Sequence, residues 1–230
     1  MSDGGKLRGL ARLFSRFGPR QPAQGEAPGG PLPGEQRGPV LPTRALQKFL
    51  ACLRSRSSPV LLDLGPVVGP NVSFFGERLG CKIYVEDVFA DLDRYVRQGT
   101  LDAFPSFLYT RFRQPDATFD GILCWDLIDY VDRPGAQALA RELTRVLRPE
   151  GALLGFFGTA RFHEARYTKY VVVDEQNLEH RTYPAARGRQ EVLLNRDIIR
   201  LFDGLRVSDS FLLKTHLREI LFRKPGYLSK

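Results

Sequence analysis

The spacing of apolar residues switches repeatedly between the helical and the strand period from Pro42 onward. Over five segments apolar residues recur three or four positions apart, which predicts amphipathic helices. Between them lie short apolar runs rich in branched and aromatic residues, which predict strands. The predicted helices cover residues 43–55, 70–79, 88–98, 134–147 and 195–202, and the strands begin near residues 60, 81, 121, 152, 206 and 218. Residues 101–115 lack a clear period and are expected to hold at most a short strand.

The order of these elements predicts an α/β fold whose mostly parallel sheet carries helices on both faces. Strand and helix alternate along most of the chain, as they do in right-handed crossover units. The last two strands differ, because only a turn at Thr215–His216 separates them. So short a connection permits only an antiparallel hairpin. Asn195 is the predicted N-cap of the helix that precedes this hairpin.

Composition is that of an ordinary globular protein. The 230 residues are 43% hydrophobic and 26% charged, which is enough for one sizeable core in one domain, or in two. No apolar stretch approaches the roughly 20 residues of a membrane-spanning helix, and no secretory signal is recognised, so we expect a cytoplasmic protein. The cysteines Cys52, Cys81 and Cys124 have no zinc-ligand spacing, and their odd number indicates buried reduced thiols.

The net charge of +8 is spread along the chain. The first 40 residues hold six basic and three acidic side chains, a net charge of +3, which leaves +5 for the remainder. Neither part contains a dense basic run, and charges such as Arg141 and Arg145 fall on the solvent face of a predicted helix. We therefore expect no nucleic-acid partner.

Residues 1–42 are predicted to form a flexible basic tail before a single domain over residues 43–230. Residues 18–42 are rich in glycine and proline and have almost no large apolar side chain, so burial cannot offset the entropy of ordering them. Residues 6–17 show a short basic amphipathic pattern, which is suited to weak contact with an anionic membrane surface or with a protein. The alternative is a frayed tail whose apolar residues are incidental.

The most informative stretch is VLLDLGPVVG, residues 60–69. An apolar run ends in Asp63 and Gly65, and Gly69 follows four positions later, which is typical of a buried parallel strand that turns directly into a helix beneath a nucleotide. Val67 stands where a glycine is expected. A second strand ends in KIYVED, and a third segment reads FDGILCWDLIDYVDRPGAQALARELTRVLRPEGALLGFF.

These three segments, in this order and followed by the terminal hairpin, resemble a class I S-adenosylmethionine-dependent methyltransferase. The motifs lie within residues 60–158, and the hairpin extends the resemblance to residue 224. The resemblance implies a seven-stranded Rossmann-like sheet, S-adenosylmethionine as the cofactor and a small molecule as the methyl acceptor. Residues 159–190 would be an insertion that can form a substrate lid. Its tyrosines, Tyr167, Tyr170 and Tyr183, are either part of that lid or simple packing residues.

The resemblance also implies which residues hold the cofactor. S-adenosylmethionine has a sulfonium, an amino-acid end and a ribose diol but no phosphate, so it requires carboxylates and close backbone approach. Asp63 would orient the amino-acid end, and Glu86 would accept both ribose hydroxyls. Asp87 is the alternative to Glu86 if the strand end is shifted by one residue. The other implied cofactor residues are Gly65, Gly69 and Trp125.

The candidate catalytic residues are Asp126, Tyr130 and His163. Asp126 would lie beside the sulfonium and the acceptor, although an acid at a strand end can instead cap the next helix. Asp129 and Tyr130 stand where related small-molecule enzymes often have Glu-His, and His163 is a candidate replacement for that histidine. Methyl transfer relies mainly on proximity and orientation, so a missing base does not exclude activity.

Two other functions fit parts of the sequence. A catalytically inactive methyltransferase-like protein that serves as a binding or scaffold module would explain Val67 and the absent histidine. A nicotinamide-dependent oxidoreductase would share the first motif, but the terminal antiparallel hairpin disfavours it.

Overall fold

A computed structural model gives the structure, which describes residues 30–160, 164–190 and 192–226. The helices are α1 (Ala45–Arg54), α2 (Gly69–Ser73), α3 (Val88–Gln98), α4 (Phe104–Arg111), α5 (Arg133–Val146) and α6 (Asn195–Leu201). The strands are β1 (Val40–Pro42), β2 (Val60–Asp63), β3 (Lys82–Val85), β4 (Phe119–Trp125), β5 (Leu147–Gly158), β6 (Arg166–Val172), β7 (Asn177–Pro184), β8 (Arg206–Leu212) and β9 (Leu217–Arg223). A π-helix covers Phe74–Arg78, and short 3-10 helices cover Leu101–Ala103 and Leu127–Tyr130.

The central sheet has the predicted mixed, mostly parallel architecture. Its strand order is β3-β2-β4-β5-β9-β8, and the pairs from β3 to β5 are all parallel. The last strand, β9, is inserted between β5 and β8 and is antiparallel to both. The predicted terminal hairpin is therefore confirmed. It is formed by the last two strands, as their short connection requires.

The sheet has six strands among the described residues, whereas seven were expected. The difference lies at residues 101–111, which form a 3-10 turn and helix α4 instead of a short strand. Helix α4 begins with Pro105 in its first turn, where the missing proline N–H costs nothing, and it buries Phe104 and Leu108 one turn apart. Because α4 buries only these two apolar side chains, its sequence shows little helical periodicity.

The two faces of the sheet are covered by different helices, because neighbouring strand residues point in opposite directions. In β4, Ile122 packs into the cluster beneath α3 and α5, whereas Leu123 packs into the cluster beneath α1. Every residue of β4 is buried, as expected for a central parallel strand. A Cβ at Gly121 would lie 2.8 Å from the Phe49 ring of α1, so this glycine allows the helix to pack closely against the sheet.

Several predicted helix ends differ in detail. Helix α2 ends after five residues and continues as a π-helix, so that the predicted helix 70–79 changes geometry at Phe74. Leu194, not Asn195, precedes the first turn of α6, and no side chain caps that turn. By contrast, Asp132 and Asp87 cap α5 and α3 by accepting hydrogen bonds from the backbone N–H groups of Gly135 and Ala90.

Strands β6 and β7 form an antiparallel hairpin, which we call the lid hairpin (residues 166–184), inside the predicted insertion. Residues 30–42, which we call the N-terminal strap, were expected to be part of a flexible tail but pair with this hairpin. Strand β1 of the strap is antiparallel to β7, and Gln36 bridges to Thr182. Backbone hydrogen bonds to the hairpin stabilise the strap despite its polar, proline-rich composition. The amphipathic segment 6–17 lies outside the described residues.

The cysteines are unpaired in the structure, with Cys81 and Cys124 buried and Cys52 partly exposed. In the described part of the chain, no helix has the length and apolar character that crossing a membrane requires.

Candidate functional site

The carboxyl ends of β2, β3 and β4 lie side by side and bring three predicted site residues together. Asp63 ends β2, Glu86 follows β3, and Trp125 ends β4. The backbone N–H of Glu86 donates to the carbonyl oxygen of Asp63 at 2.8 Å, and Leu64 N–H donates to the carbonyl oxygen of Leu123 at 3.1 Å. Ligands of open α/β sheets bind beyond this edge, where helices depart to opposite faces. The edge is therefore the candidate site.

Asp63 is buried and receives two hydrogen bonds on one carboxylate oxygen. Its Oδ1 accepts from the backbone N–H of Gly65 at 2.9 Å and from the indole N–H of Trp125 at 2.6 Å. Burial raises the pKa of Asp63 to about 6, although both hydrogen bonds favour the ionised form. The acid that the resemblance assigns to the amino-acid end of the cofactor thus has protein donors as partners in this conformation.

The two loop glycines have different surroundings. A Cβ at Gly65 would lie 3.2 Å from the Trp125 ring and 3.3 Å from Asp63 Oδ1, so the indole lies directly on this part of the loop. At Gly69, a Cβ would meet no heavy atom within 4 Å. Val67, the departure from the glycine pattern, is half-buried. The open space at Gly69 fits a backbone that approaches a ligand.

Glu86 and Asp87, the alternatives for the ribose acid, have different partners. Glu86 forms an ion pair with Arg111 of α4 and accepts a hydrogen bond from Gln114 at 3.4 Å. Arg111 also pairs with Asp91 of α3 at 2.8 Å. Asp87 Oδ1 accepts from the backbone N–H of Ala90 at 3.0 Å and so caps α3. Both acids therefore have protein partners in this conformation, a backbone N–H of α3 for Asp87 and the Arg111 and Gln114 side chains for Glu86.

Trp125 has an unusual backbone conformation for a bulky residue. Its φ is 50°, in the left-handed region that glycine and asparagine prefer. This conformation turns the indole onto the loop and against Tyr170 of the lid hairpin, with ring centroids 5.2 Å apart and an interplanar angle of 11°. Strain of this kind persists only where surrounding contacts enforce it, and it is concentrated at functional sites.

Asp126, Asp129 and Tyr130 form a buried cluster after β4, and Arg189 is its cation. Arg189 Nη2 donates to Asp126 Oδ2 at 2.7 Å, and Nη1 lies 3.3 Å from Asp129 Oδ2. The Tyr130 hydroxyl lies 3.3 Å from the same Asp126 oxygen. Asp129 also accepts from the backbone N–H of Gly158 at 2.7 Å, which connects the cluster to the end of β5.

The cluster shifts the titration of its acids. Burial raises the pKa of Asp129 to about 7, the Arg189 charge opposes this shift, and the Asp126 charge adds to it. Burial also raises the pKa of Asp126, against the Arg189 charge and the Tyr170 hydroxyl. Burial likewise raises the pKa of Tyr130. Perturbed groups of this kind are characteristic of functional sites but also of structural ion pairs.

The third predicted catalytic residue, His163, lies outside the described residues. A different histidine, His180 of the lid hairpin, lies beside Tyr170 with ring centroids 4.9 Å apart. Burial lowers the pKa of His180 to about 4, and the Arg189 charge lowers it further. His180 is therefore a neutral imidazole near the cluster at physiological pH.

The lid hairpin lies across the carboxyl edge and closes it. The Asn71 side chain, in the first turn of α2, donates to the carbonyl of Tyr170 at 2.9 Å and accepts from the N–H of Val172 at 2.7 Å. Tyr167 packs edge-on against Phe89 of α3 and Tyr130, at centroid distances of 5.0 and 4.8 Å. The hairpin thus contacts the segment that leaves each of the three strands, and a ligand at the edge would lie beneath it.

Sequence reasoning missed Arg111, Arg189 and Asn71. Arg111 and Arg189 lie in segments without a motif, and they reach the acids only through the tertiary fold. Asn71 follows Pro70 directly after the glycine loop, a position where a polar side chain in a helix's first turn usually serves as a cap. In the fold, Asn71 is buried beneath the hairpin, and nothing in the sequence indicates this burial.

Helices α5 and α6 border a cavity on one face of the domain. It is a groove of about 1050 Å³ between α5 and α6 that reaches Gln190, and we call it the α5–α6 groove. Charged residues of both signs line it, among them Arg133, Arg200 and Asp197. None of the predicted site residues that the structure describes lines this groove.

Comparison with protein families identifies the domain. The family model described as a methyltransferase domain matches residues 8–195. No curated protein matches the chain significantly. Three solved structures are among the matches to this chain. The 1,6-didemethyltoxoflavin-N1-methyltransferase of Burkholderia thailandensis, solved with S-adenosylhomocysteine, is 16% identical over 80% of this chain and 78% of its own, with a TM-score of 0.47.

The other two are a protein from Pyrococcus horikoshii and the glycopeptide N-methyltransferase MtfA. The Pyrococcus protein is 15% identical over 78% of this chain and 90% of its own, with a TM-score of 0.45. MtfA, solved with S-adenosylmethionine, is 14% identical over 79% of this chain and 93% of its own, with a TM-score of 0.41. The family match spans most of the chain and includes all three motifs of the resemblance. The chain belongs to the class I S-adenosylmethionine-dependent methyltransferase domains.

Proposed function

We propose that the chain transfers the methyl group of S-adenosylmethionine to a small-molecule acceptor at the carboxyl edge of β2, β3 and β4. The observation that carries this proposal is the juxtaposition of Asp63, Glu86 and Trp125 at that edge, below the lid hairpin. The cofactor would supply an activated methyl group on its sulfonium. The chain's own residues would have to bind, orient and exclude water.

The acidic side chains at this edge suit the cofactor in their chemistry and in their order along the edge. Asp63 would hold the amino-acid end next to Gly65, and Glu86 would accept hydrogen bonds from the ribose hydroxyls. The space beside Gly69 would let the loop pass close to the ligand. Both acids now have protein partners, Trp125 and Arg111, so binding would exchange these partners for cofactor groups.

The cluster of Asp126, Asp129 and Tyr130 would line the acceptor side of the site. It directly follows Trp125 along the chain, and the hairpin residue Tyr167 covers it. The cluster is buried and contains both carboxylate and hydroxyl oxygens, which would position a small polar acceptor. A macromolecular acceptor would require the hairpin to move far from the edge.

Calorimetric titration of the full chain with S-adenosylhomocysteine tests the proposal. We expect binding by the wild type and at least a tenfold loss in Glu86→Gln, because the amide removes the charge that strengthens hydrogen bonds from the ribose. Glu77→Gln is the matched control, since Glu77 is exposed on the π-helix and contacts Ser73. Absence of binding at millimolar ligand, or equal affinity in Glu86→Gln, would contradict the proposal.

A second candidate is a catalytically inactive binding or scaffold module. The observation that favours it is that the key acids are already satisfied within the protein, Asp63 by Trp125 and Glu86 by Arg111. This candidate predicts no binding of S-adenosylhomocysteine by the wild type or by Arg111→Met. Binding of S-adenosylhomocysteine by Arg111→Met but not by the wild type would instead indicate a cofactor site that Arg111 blocks.

A further inference from the structure

The N-terminal strap is attached to the lid hairpin along much of its described length. Residues Val40–Pro42 pair with β7, and the Gln36–Thr182 bridge extends the contact toward the start of the strap. The N–H of Gln36 donates to the carbonyl of Thr182 at 2.7 Å, and the N–H of His180 donates to the carbonyl of Pro39 at 3.1 Å. The strap therefore forms the third strand of the sheet that contains the hairpin.

A buried ion pair joins the strap to the other hairpin strand. Glu35 Oε2 lies 2.6 Å from Lys169 Nζ of β6, and their side chains are only 4% and 1% exposed. Glu35 also accepts from the backbone N–H of Leu32 at 2.8 Å and lies 3.5 Å from Arg181. Removing one member of a buried pair is costly, because it leaves the other charge unpaired in a low-dielectric environment.

Lys169 precedes Tyr170, so the two side chains leave β6 on opposite faces. Tyr170 stacks on Trp125 at the cofactor edge, whereas Lys169 is held by the strap. At its other end the strap leads into α1, where the backbone N–H of Ala45 donates to Glu219 of β9 at 2.8 Å, so this end is anchored to the central sheet. Any movement of β6 that frees Trp125 must therefore also move Lys169 relative to the strap or carry the strap with it.

We propose that the Glu35–Lys169 pair is a latch through which the N-terminal strap holds the lid hairpin closed over the cofactor edge, so that release of the strap regulates access to the site. The regulatory consequence rests on the proposed function, whereas the latch itself consists only of contacts between the strap and the hairpin. Displacement of Glu35 leaves Lys169 as a buried cation without its carboxylate partner, which weakens the attachment of the hairpin to the strap.

The single tryptophan of the chain reports directly on this latch. Trp125 is 3% exposed beneath Tyr170, so collisional quenching of its emission by acrylamide measures opening of the hairpin. We expect Glu35→Gln to raise the quenching constant at least twofold in the absence of any ligand. Arg37→Gln is the control, because Arg37 lies in the same strap, is exposed and forms a long 3.8 Å pair with Glu179. Equal quenching in wild type and Glu35→Gln would overturn the proposal.

Amide hydrogen exchange separates local opening from general loss of stability. In Glu35→Gln, we expect the Val172 amide, which donates to Asn71, to exchange about tenfold faster or more, while the Ile122 amide of β4 keeps its wild-type rate. Equal acceleration at both positions would overturn the proposal, because the pair would then contribute only to global stability. Neither readout uses the cofactor, so a failed latch and a failed methyltransferase assignment give different results.

Discussion

The indole N–H of Trp125 donates a 2.6 Å hydrogen bond to Asp63 Oδ1, which joins the ends of β4 and β2. The same carboxylate oxygen accepts from the backbone of Gly65. Asp63, which the family resemblance assigns to the cofactor, is thus hydrogen-bonded to Trp125, which the resemblance assigns to the cofactor as well. The edge of the sheet is a closed network in which each acid already has a donor, and a ligand would have to replace those donors.

This bond predicts the effect of Trp125→Phe on stability. Phenylalanine keeps an aromatic ring against Tyr170 but removes the donor, which leaves buried Asp63 with one partner. We expect the free energy of unfolding to fall by about 1.5–3 kcal/mol, as for a hydrogen bond to a charged group. Denaturant unfolding followed by circular dichroism measures it.

Tyr109→Phe is the control for this substitution. Tyr109 is exposed, and its hydroxyl accepts a hydrogen bond from Arg141, so a change within about 0.5 kcal/mol is expected. Equal free energies of unfolding in Trp125→Phe and wild type would show that the Trp125–Asp63 bond does not stabilise the fold.

The open space at Gly69 predicts a separation between stability and ligand binding. Its φ is not in the left-handed region, and a Cβ would meet no atom, so Gly69→Ala should unfold at the wild-type denaturant concentration. If the loop passes against the cofactor, the added methyl group should weaken S-adenosylhomocysteine binding by about tenfold or more.

Gly76→Ala is the matched control, because a Cβ there would make an ordinary 3.6 Å contact with Ile83. Stability and affinity should both remain close to wild type. Wild-type affinity in Gly69→Ala would mean that the ligand does not approach this part of the loop.

The raised pKa of Asp129 predicts a pH dependence of stability. The folded state holds this proton up to a pKa of about 7, whereas the unfolded chain releases it near the ordinary value of 3.8. Between these values the folded state binds more protons, so this group lowers stability as pH rises from about 4 to 7. For one proton, the free energy of unfolding changes by at most about 1.4 kcal/mol per pH unit.

Asp129→Asn should remove this contribution, so the free energy of unfolding of the variant should fall less steeply with rising pH than that of the wild type. The comparison is made between variants because His180, whose pKa is lowered to about 4, contributes in the opposite direction. Asp174→Asn, at an exposed residue whose pKa is lowered by Asn177, is the control. Identical pH profiles for wild type and Asp129→Asn would exclude Asp129 as a titrating group in this range.

The sequence predicted the fold well where periodicity reports burial. Strand β4 and helix α5 are long and buried in the expected pattern, and the short connection from Leu212 to Leu217 permits only a hairpin. Helix α4 escaped prediction because it buries only Phe104 and Leu108, which gives too weak a period to detect.

The strap and the partners of the acids could not be predicted, because they depend on contacts between distant segments. Glu35 and Lys169 are 134 positions apart, and Glu86 and Arg111 are 25 positions apart, with no motif to connect either pair. The candidate cofactor acids could be proposed from the sequence because strand ends and the glycine loop define positions locally. A sequence shows which side chains reach the edge, whereas the donors that meet them there depend on packing.

The central claim, that the cofactor binds at the carboxyl edge of β2, β3 and β4, is tested most directly by the hydrogen-exchange footprint of S-adenosylhomocysteine on the full chain. We predict slower exchange at residues 64–69 and 86–90 and in the lid hairpin, with β8 and β9 unchanged. Protection confined to the α5–α6 groove, or no protection at saturating ligand, would contradict the claim.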